Sequence, residues 1–368
     1  MKTLFCVFAL SVCAVAGVSV SVPNSVSTGP SPIHFVAKAT TSCSRGVSSM
    51  GIYTAPYVLA YKVAGAKLDT YLHLSAGTYH TQVQEWDKCG GASKTPITVT
   101  VSGGTRSSVG SSSHVFVVVE ENHSYSSVIG SSAMPYLNSL ASKYALATQY
   151  YAVTHPSIGN YFMLTTGQTI TNNDSACSTI SNDNIVRHLL TAGKTWKSYA
   201  QSLPSVGYTG CGVHPYAKRH NPLAFFSDVA NSSEKSNLVP FTQFAKDLAN
   251  NSLPNFSFIV PDLLHDAHDG SLQQADAWLK TNIAPLIASS TFQQNGLLVI
   301  VFDESVDSDK AHGGGHIAAV VIGPKVKHGY KSTVLYQHQN TLKTVLQALG
   351  VKTYPGAAAN AAPMSDFF

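Results

Sequence analysis

The sequence predicts an α/β fold with a mostly parallel sheet and helices on both faces, preceded by a small all-β domain. From residue 114 onward, near-continuous apolar runs alternate with helical periods. From about residue 24 to 101, short alternating stretches are broken by Gly or Pro every ten or so residues. Continuous apolar runs are typical of parallel strands buried on both faces, and two-residue alternation is typical of an antiparallel sandwich. A chain of 368 residues also exceeds what one hydrophobic core usually organises.

The first 17 residues have the order of a secretory signal peptide. Lys2 is followed by an apolar run to about Val15 and then by small residues. The run is short for a membrane span, and no other stretch approaches the roughly 18 residues that a span requires. We therefore expect a secreted or periplasmic protein without a transmembrane segment. Lipidation at Cys13 is a weaker alternative. A lipoprotein site has a small residue just before the Cys, whereas Val12 precedes Cys13.

Composition excludes two broad classes. With 44% hydrophobic and 11% charged residues, the chain is neither disordered nor highly charged. The net charge of +4 is modest, and no Lys/Arg-rich run could line a nucleic-acid groove. Nucleic acid is therefore not an expected partner.

Four cysteines remain after removal of the signal peptide: Cys43, Cys89, Cys177 and Cys211. An even number in an exported chain indicates two disulfides, and three pairings are possible. If the two domains separate, Cys43–Cys89 and Cys177–Cys211 form the only pairing that keeps each bridge within one domain. A metal site is disfavoured because no C-x-x-C spacing occurs.

The domain boundaries follow from composition. Residues 24–101 resemble an immunoglobulin-like sandwich, since a Cys43–Cys89 bridge would lie close to Trp86. Such a module could contact a surface or a glycan. Residues 102–113 are almost only Gly and Ser and predict a flexible linker. The remainder, 114–368, is the expected catalytic domain.

Within that domain the pattern places individual elements. Strands are expected at 115–119, 256–260, 297–302 and 318–322, as parallel strands of one open sheet. Helices are expected around 134–147, 183–192, 273–289 and 338–349. In open α/β sheets, ligands bind beyond the carboxyl ends of the strands, so the residues that follow each strand are the candidates for chemistry.

Acidic, amide and imidazole side chains follow three of the strands. These side chains are Glu120, Glu121, Asn122 and His123 after the first strand, Asp262, His265, Asp266, His268 and Asp269 after the second, and Asp303 and Glu304 after the third. One acidic strand end would be an ordinary solvated turn. Several converging oxygen ligands are better explained by a divalent cation, because it holds together carboxylates that would otherwise repel one another.

Ser157 lies in the segment HPSIGNY, before an apolar stretch. It could cap a helix, since Ser is common at helix starts. A helix N-terminus also favours an incoming phosphate, so capping and catalysis are compatible.

Five segments together resemble the ordered motifs of the phosphoesterase family, which contains bacterial acid phosphatases and phospholipases C within the alkaline-phosphatase superfamily. The segments are VVVEENHSY, HPSIGNYFMLTTG, NPLAFFSDV, HDAHDGS with DAWL, and VFDE with GGGHIAAVVIGP. The resemblance covers about residue 114 to the C-terminus. Five motifs in the right order are far more specific than any single one.

The resemblance implies a metal site. Glu121, Asn122, Asp303 and Glu304 would bind a divalent cation, and Ser157 would complete its shell. Asn160 would hold a phosphate oxygen, and His268, Asp269 and His316 would line the phosphate site. The D-x-x-x-H spacing of second metal sites is not kept, which favours one cation over two.

The implied reaction begins with attack of Ser157 on the phosphoryl group and continues through a phosphoserine. His268 or His316 would protonate the leaving group, because imidazole titrates near neutral pH. Arg219 and His220, in a basic cluster with His214 and Lys218, would recognise the rest of an anionic phosphate ester, although a solvated loop is an equal alternative.

We therefore expect a secreted acid phosphatase that hydrolyses phosphomonoesters. A phospholipase C-type phosphodiesterase is the alternative within the same chemistry, and the lack of an amphipathic membrane helix favours monoesters. A non-catalytic cell-surface binding protein is the alternative from a different class. Against it, a scaffold has no physical reason to keep like charges at adjacent strand ends.

Overall fold

The chain forms two compact units, Met1–Thr105 and Arg106–Phe368, in a computed structural model. The structure describes residues 17–23, 26–29, 33–55, 58–72, 74, 77–101 and 109–368. Residues 1–16 of the expected signal peptide and residues 102–108 of the expected linker lie outside the described residues.

The N-terminal unit is all-β in its described part, as expected. Its strands are β1 Gly17–Val22, β2 Val26–Gly29, β3 Ile33–Thr40, β4 Val47–Ala55, β5 Val58–Ala64, β6 Lys67–Leu72, β7 Gly77–Asp87 and β8 Ala92–Val101. They form a three-stranded sheet of order β1-β3-β6 and a five-stranded sheet of order β2-β8-β7-β4-β5. The strands thus begin at Gly17, ahead of the expected start at residue 24, because β1 pairs with β3.

Alternation along the strands places the core of this unit. In β3 and β6 every second residue is buried, as a sheet with one apolar face requires. Phe35, Met50, Ile52, Val83 and Val99 are fully buried in one cluster. The immunoglobulin-like identity of the unit, and its contact with a surface or glycan, stay predictions.

Both expected disulfides are confirmed. Cys43 and Cys89 are bonded with a Cα–Cα distance of 6.0 Å. Cys177 and Cys211 are bonded with a Cα–Cα distance of 5.4 Å. Each bridge lies within one unit.

The C-terminal unit is built on an eight-stranded sheet of order β12-β11-β13-β9-β14-β15-β10-β16. Its strands are β9 His114–Glu120, β10 Ala145–Ala147, β11 Trp196–Ala200, β12 Leu238–Pro240, β13 Phe256–Val260, β14 Gly296–Phe302, β15 Ala319–Ile322 and β16 Tyr330–Ser332. All pairs are parallel except the two that involve β15, which runs antiparallel to β14 and β10. The expectation that this last apolar run is a parallel strand was therefore wrong.

Burial explains the apolar runs. Every residue of β13 and β14 is buried, and so is every residue of β9 after His114. Strands buried on both sides have no polar face to show, so they lack two-residue alternation.

The helices are α1 Tyr125–Val128, α2 Pro135–Lys143, α3 Ser157–Thr166, α4 Ile185–Thr191, α5 Ser227–Ala230, α6 Thr242–Ala249, α7 Leu272–Asn282, α8 Ala284–Ala288, α9 Ser290–Asn295 and α10 His338–Ala348. The helix expected over 134–147 ends at Lys143, because Ala145–Ala147 pairs with two strands and tertiary pairing overrides a helical period. The helix expected over 273–289 is divided into α7 and α8, with Pro285 in the first turn of α8. None of the helices in the described part of the chain has the length and apolarity needed to cross a membrane.

The far end of the expected linker belongs to the C-terminal unit. The amide of Ser112 donates to Ala348 O at 2.7 Å, and Lys325 Nζ donates to Ser111 O at 2.6 Å. Residues 111–113 are therefore bonded to the α/β unit, which departs from the flexible linker expected as far as residue 113.

Candidate active site

The two central strands of the sheet deliver acidic residues side by side. β9 and β14 are parallel neighbours, and Phe302 is paired with Glu120 where both strands end. Asp303 N donates to Glu120 O at 2.9 Å, so the two chains remain adjacent one residue further. Glu121 and Asp303 therefore lie together at the carboxyl edge of the sheet, as expected from the strand ends.

Ser157 is the first residue of α3 and faces these carboxylates. Its Oγ lies 3.1 Å from Glu121 Oε2, 3.2 Å from Glu304 Oε1 and 3.4 Å from Asn122 Oδ1. Asn122 N donates to Asp303 Oδ1 at 3.0 Å, which brings in the remaining expected ligand. The structure thus gathers all five residues for which metal binding is expected.

The gathered carboxyl groups have fewer hydrogen-bond donors than acceptor atoms. One hydroxyl hydrogen of Ser157 can satisfy only one of its three oxygen neighbours. Among the described residues, Asp303 Oδ2 and Glu304 Oε2 have no hydrogen-bond partner. Burial of a charge without donors or a counterion is strongly unfavourable, so these atoms need either protons or a cation.

The pKa values of these carboxyl groups also reflect the unfavourable burial of negative charge. Burial, with repulsion from Asp303, raises the pKa of Glu304 to about 9. Burial raises the pKa of Asp303 to about 7 and that of Glu121 well above its usual range. Carboxylate, amide and hydroxyl oxygens are the ligands of hard divalent cations, so the donor set fits such an ion.

His155 extends the cluster on the side of Glu304. Its Nε2 donates to Asp309 O at 2.9 Å, because a carbonyl can only accept. The Nδ1 of the neutral ring is then an acceptor, yet it lies 2.8 Å from Glu304 Oε2 without hydrogen-bond geometry. Two acceptors at this distance require a proton or a cation between them. The sequence left the role of His155 open.

His220 extends the cluster on the side of Glu121, and its expected contact with a substrate stays a prediction. His220 is 1% exposed, so it does not face solvent. Its Nδ1 donates to Asp266 Oδ2 at 3.1 Å, so its Nε2 presents a lone pair 3.2 Å from Glu121 Oε1. An imidazole with one nitrogen held by a carboxylate is the usual arrangement of a metal-ligating His. The ligand atoms of Glu121, His220 and His268 lie within 4.8 Å of one another.

His268 is oriented by its neighbours. Its Nδ1 donates to Asp269 Oδ1 at 2.7 Å, and the Arg219 guanidinium donates to its Nε2 at 3.1 Å. The other oxygen of Asp269 lies 3.2 Å from His214 Nε2. The hydrogen bond from His268 is the main reason why the pKa of Asp269 is lowered. In this structure Asp269 positions His268, and its contact with phosphate stays a prediction.

Asn160 supports the segment that precedes the nucleophile. Its Oδ1 accepts from Val153 N at 3.0 Å and from Thr154 N at 3.3 Å, and its Nδ2 donates to Thr154 O at 2.8 Å. The amide therefore fixes the loop that leads into α3. The expected contact with a phosphate oxygen stays a prediction.

His316 is held by three other groups. Its Nε2 donates to Thr148 O at 3.0 Å, and its ring stacks on Tyr125 and Tyr151 at centroid distances of 4.3 and 4.8 Å. Burial lowers its pKa. The nitrogen that would protonate a leaving group is thus already engaged.

A three-glycine segment packs directly against the loop before Ser157. A Cβ on Gly313 would lie 2.1 Å from Val153 O, and one on Gly314 would lie 2.3 Å from Thr154 O. Both distances are far below van der Waals contact, so a side chain at either position would displace the backbone of Val153 or Thr154.

Two contacts within the candidate site were not predicted from the sequence. Tyr161 donates through its hydroxyl to Glu121 Oε1 at 2.5 Å, and Asp174 Oδ1 accepts from Ile158 N at 3.0 Å. The position of Tyr161, four residues after Ser157 and so on the same helix face, was an available signal. Asp174 lies in an irregular loop and offered none.

Comparisons with known proteins agree with this arrangement. The family model described as Phosphoesterase family matches residues 131–352. A phosphatidylinositol-3-phosphatase of Mycobacterium tuberculosis is 38% identical over 259 residues, covering 69% of this chain and 82% of that protein. An acid phosphatase of Aspergillus fumigatus is 33% identical over 243 residues, covering 62% of this chain and 53% of that protein. The chain thus spans about half the length of this fungal relative.

Solved structures of low sequence identity match about two thirds of this chain. A protein in the alkaline phosphatase superfamily from Vibrio parahaemolyticus has 14% identity and a TM-score of 0.48, with 68% of this chain and 69% of that chain covered. A Bacteroides thetaiotaomicron protein connected with glycosaminoglycan metabolism has 13% identity and a TM-score of 0.50, with 70% and 81% covered. At such identities the likeness concerns the fold alone.

The fold, the site and these relatives define a hydrolase that acts on phosphoric esters. The chain belongs to the Phosphoesterase family, whose model matches more than half of its length.

Proposed function

We propose that the protein is a secreted, metal-dependent phosphomonoesterase of the acid phosphatase type that acts through a phosphoserine on Ser157. The observation that carries the proposal is the position of Ser157 Oγ, within 3.4 Å of the buried carboxyl groups of Glu121 and Glu304 and the half-buried amide of Asn122, from two neighbouring strand ends. Disulfides in both units support export, because such bonds persist in oxidising compartments.

Glu121, Asn122, Asp303, Glu304 and Ser157 would hold the cation. A divalent ion held there lowers the pKa of a bound hydroxyl and neutralises charge on a phosphoryl group. Ser157 Oγ attacks phosphorus as the bond to the leaving alcohol breaks, with the N-terminus of α3 favouring the negative charge. Water then attacks the phosphoserine, which releases phosphate and restores the Ser157 hydroxyl.

His268 is the better candidate for the acid that protonates the leaving alcohol. Its side chain is 27% exposed, and its Nδ1 donates to Asp269 Oδ1. His316 fits the role less well because its ring is stacked between Tyr125 and Tyr151 and its Nε2 donates to Thr148 O. To act as the acid, His268 Nε2 would have to exchange the hydrogen bond that it accepts from Arg219 for a proton. His268→Gln should therefore lower kcat more for poor alcohol leaving groups than for nitrophenol.

The test of the proposal is hydrolysis of p-nitrophenyl phosphate by the full chain before and after chelation. We expect activity that chelation removes and a divalent cation restores. Ser157→Ala should lose activity by roughly 10³-fold or more while keeping its fold, because the nucleophile is removed. Ser139→Ala, an exposed Ser on α2, is the matched control and should behave as wild type.

Rapid quenching of the wild type with ³²P-labelled substrate should leave label on Ser157 and none on the Ala variant. Activity that survives chelation would remove the metal from the proposal. Activity of Ser157→Ala near that of the wild type would remove the phosphoserine.

A further inference from the structure

A cavity of about 300 Å³ opens beside the candidate site. Its lining includes Asp174, Cys177, Cys211, His214, Arg219 and Leu263. None of the metal-ligand candidates belongs to this lining. The cavity is therefore a separate compartment of the site.

Two of its lining residues contact the reaction centre directly. Asp174 Oδ1 accepts from the amide of Ile158, the residue that follows the nucleophile, at 3.0 Å. Arg219 donates to His268 Nε2 at 3.1 Å. A phosphate ester that Ser157 attacks, with its leaving oxygen directed toward His268, would place its alcohol portion next to these two side chains.

The cavity walls are held in place before any ligand binds. The Cys177–Cys211 disulfide joins the two loops that form them. Lys218 is 3% exposed, and its Nζ donates to Cys177 O at 2.7 Å and to Thr209 O at 2.6 Å. With these loops tied together covalently and by a buried cation, the cavity has the pre-formed walls typical of ligand sites.

Arg219 and Asp174 leave hydrogen-bonding capacity unused. Arg219 Nε is buried and has no hydrogen-bond partner in the described part of the chain. It lies 3.8 Å from Asp174 Oδ2, which is too far for a hydrogen bond. Because Nε is buried, a substrate hydroxyl would reach it only after a shift of the Arg219 side chain. That hydroxyl would then accept from Nε–H and donate to Oδ2, so one alcohol group would satisfy both.

The charges of the lining select a neutral polar group. Asp174 opposes a second anionic group on the substrate, and Arg219 opposes a cationic one. Lys218 is 3% exposed, and two of its three N–H donors already go to the carbonyls of Cys177 and Thr209. Hydroxyl groups, which both donate and accept, match this mixed lining.

We propose that this cavity is a leaving-group subsite that recognises a hydroxylated alcohol, so that the preferred substrates are phosphomonoesters of polyols or sugars. The inference rests on the proposed phosphomonoesterase function and names its substrate class. Arg219 and Asp174 are the residues that determine the specificity.

The substrates that test it form a pair with the same ring. We would compare kcat/KM for myo-inositol 1-phosphate and cyclohexyl phosphate, which differ in the ring hydroxyls, using the full metal-loaded chain. The wild type should prefer the inositol ester by about tenfold or more, since a pocket built to bind hydroxyl groups discriminates against analogues that lack them. Equal kcat/KM values would overturn the proposal.

Asp174→Asn keeps an acceptor oxygen for the Ile158 amide but replaces Oδ2 with a donor. We expect the inositol-to-cyclohexyl ratio to fall about tenfold toward unity, and Arg219→Lys, which removes Nε, to do the same. If a substitution also disturbs Ser157 or His268, kcat/KM falls equally for both substrates, so the ratio is unaffected by that disturbance. An unchanged ratio in both variants would contradict the assignment.

Ser175→Trp fills the cavity from an exposed position on its rim, and Ser178→Trp on the same loop lies outside the lining. The first variant should lose at least roughly tenfold in kcat/KM for inositol phosphate relative to ethyl phosphate, whose alcohol does not reach the cavity. The second should retain the wild-type ratio.

If the wild type hydrolyses neither ethyl nor p-nitrophenyl phosphate, the proposed function itself fails. If it hydrolyses both and Ser175→Trp keeps the wild-type ratio, only the subsite fails.

Discussion

Two groups of buried carboxylates in the C-terminal unit differ in the atoms that surround them. Asp247 accepts from Lys197 Nζ at 2.6 Å, from Tyr199 OH at 2.6 Å and from Gln243 Nε2 at 2.9 Å. Burial acts to raise its pKa, but the hydrogen bonds from Lys197 and Tyr199 outweigh burial and hold the pKa of Asp247 below its usual value.

Asp303 and Glu304 are also buried but have fewer donors. Asp303 Oδ1 accepts from Asn122 N, whereas Asp303 Oδ2 and Glu304 Oε2 have no hydrogen-bond partner in the described part of the chain. Their pKa values are raised, to about 7 and about 9. The difference separates a structural carboxylate from a ligand carboxylate. A buried carboxylate with enough hydrogen-bond donors, such as Asp247, stabilises the fold. Buried carboxylates with too few donors, such as Asp303 and Glu304, are suited to bind a cation.

The largest expected effect is the loss of activity when a carboxylate of the proposed metal site is replaced. Asp303→Asn keeps the shape of the side chain and removes its charge, so kcat/KM for p-nitrophenyl phosphate should fall by roughly 10²- to 10³-fold. The metal-free variant should be at least as stable as the wild type, because a repulsive buried charge is gone. Steady-state kinetics and thermal unfolding check both parts. A variant that is fully active, or markedly unstable without metal, would place Asp303 with the structural carboxylates.

Replacement of Asp247, the carboxylate with three donors, should lower stability and leave activity unchanged. Asp247→Asn leaves Lys197 facing a neutral amide and should lower the free energy of unfolding by about 1–3 kcal/mol. The kcat/KM of the folded variant should remain at the wild-type value. Urea denaturation followed by kinetics at low urea measures the two quantities. Loss of activity without loss of stability would contradict the distinction.

A third prediction concerns pH. Folding raises the pKa values of Asp303 and Glu304, so between about pH 4 and about pH 9 the unfolded chain binds fewer protons at these groups than the folded chain does. Their contribution to stability is therefore complete below about pH 4 and is lost as pH rises. A bound cation removes this loss.

The measurement is the Tm with and without a millimolar divalent cation, taken from about pH 5 to about pH 8. The difference between the two Tm values should grow with pH, and groups such as Asp247 cancel in it. A difference that stays constant or shrinks would show that these carboxyl groups do not bind the ion.

The smallest effect is expected at Tyr161. Its hydroxyl donates to Glu121 Oε1 and orients a ligand carboxylate without being a ligand candidate itself. Tyr161→Phe should weaken metal affinity by roughly 10- to 100-fold, with activity restored at high metal concentration. Calorimetric titration with Mg²⁺, Ca²⁺ and Mn²⁺ measures this. An activity loss that added metal cannot restore would give Tyr161 a different role.

The central strands and the acidic strand ends were predictable because their signals are local. The apolar run Leu297–Phe302 is almost the whole of β14, and the charged residues that follow it lie at the expected edge of the sheet. Ala145–Ala147 was not predictable as a strand, because its three small residues fit a helical period and become a strand only through pairing with β15 and β16.

The histidines show the corresponding limit for the site. The sequence identifies His220 and His316 as polar candidates but not which atoms they face. His220 lies between Glu121 and Asp266, which are distant in the chain, and His316 lies between Tyr125 and Tyr151. Such positions depend on how loops from different strands meet, and local patterning does not encode that.

The segment Gly313–Gly315 has a consequence for variation near the nucleophile. Three successive glycines usually indicate slack in a chain, but here they allow two backbones to touch. Asn160 ties the same Val153–Thr154 stretch to α3. A methyl group added at Gly313 or Gly314 would displace that stretch, and we expect the displacement to move Ser157 as well. The distance between the hydroxyl and its carboxylate neighbours is thus set partly by residues that carry no side chain at all.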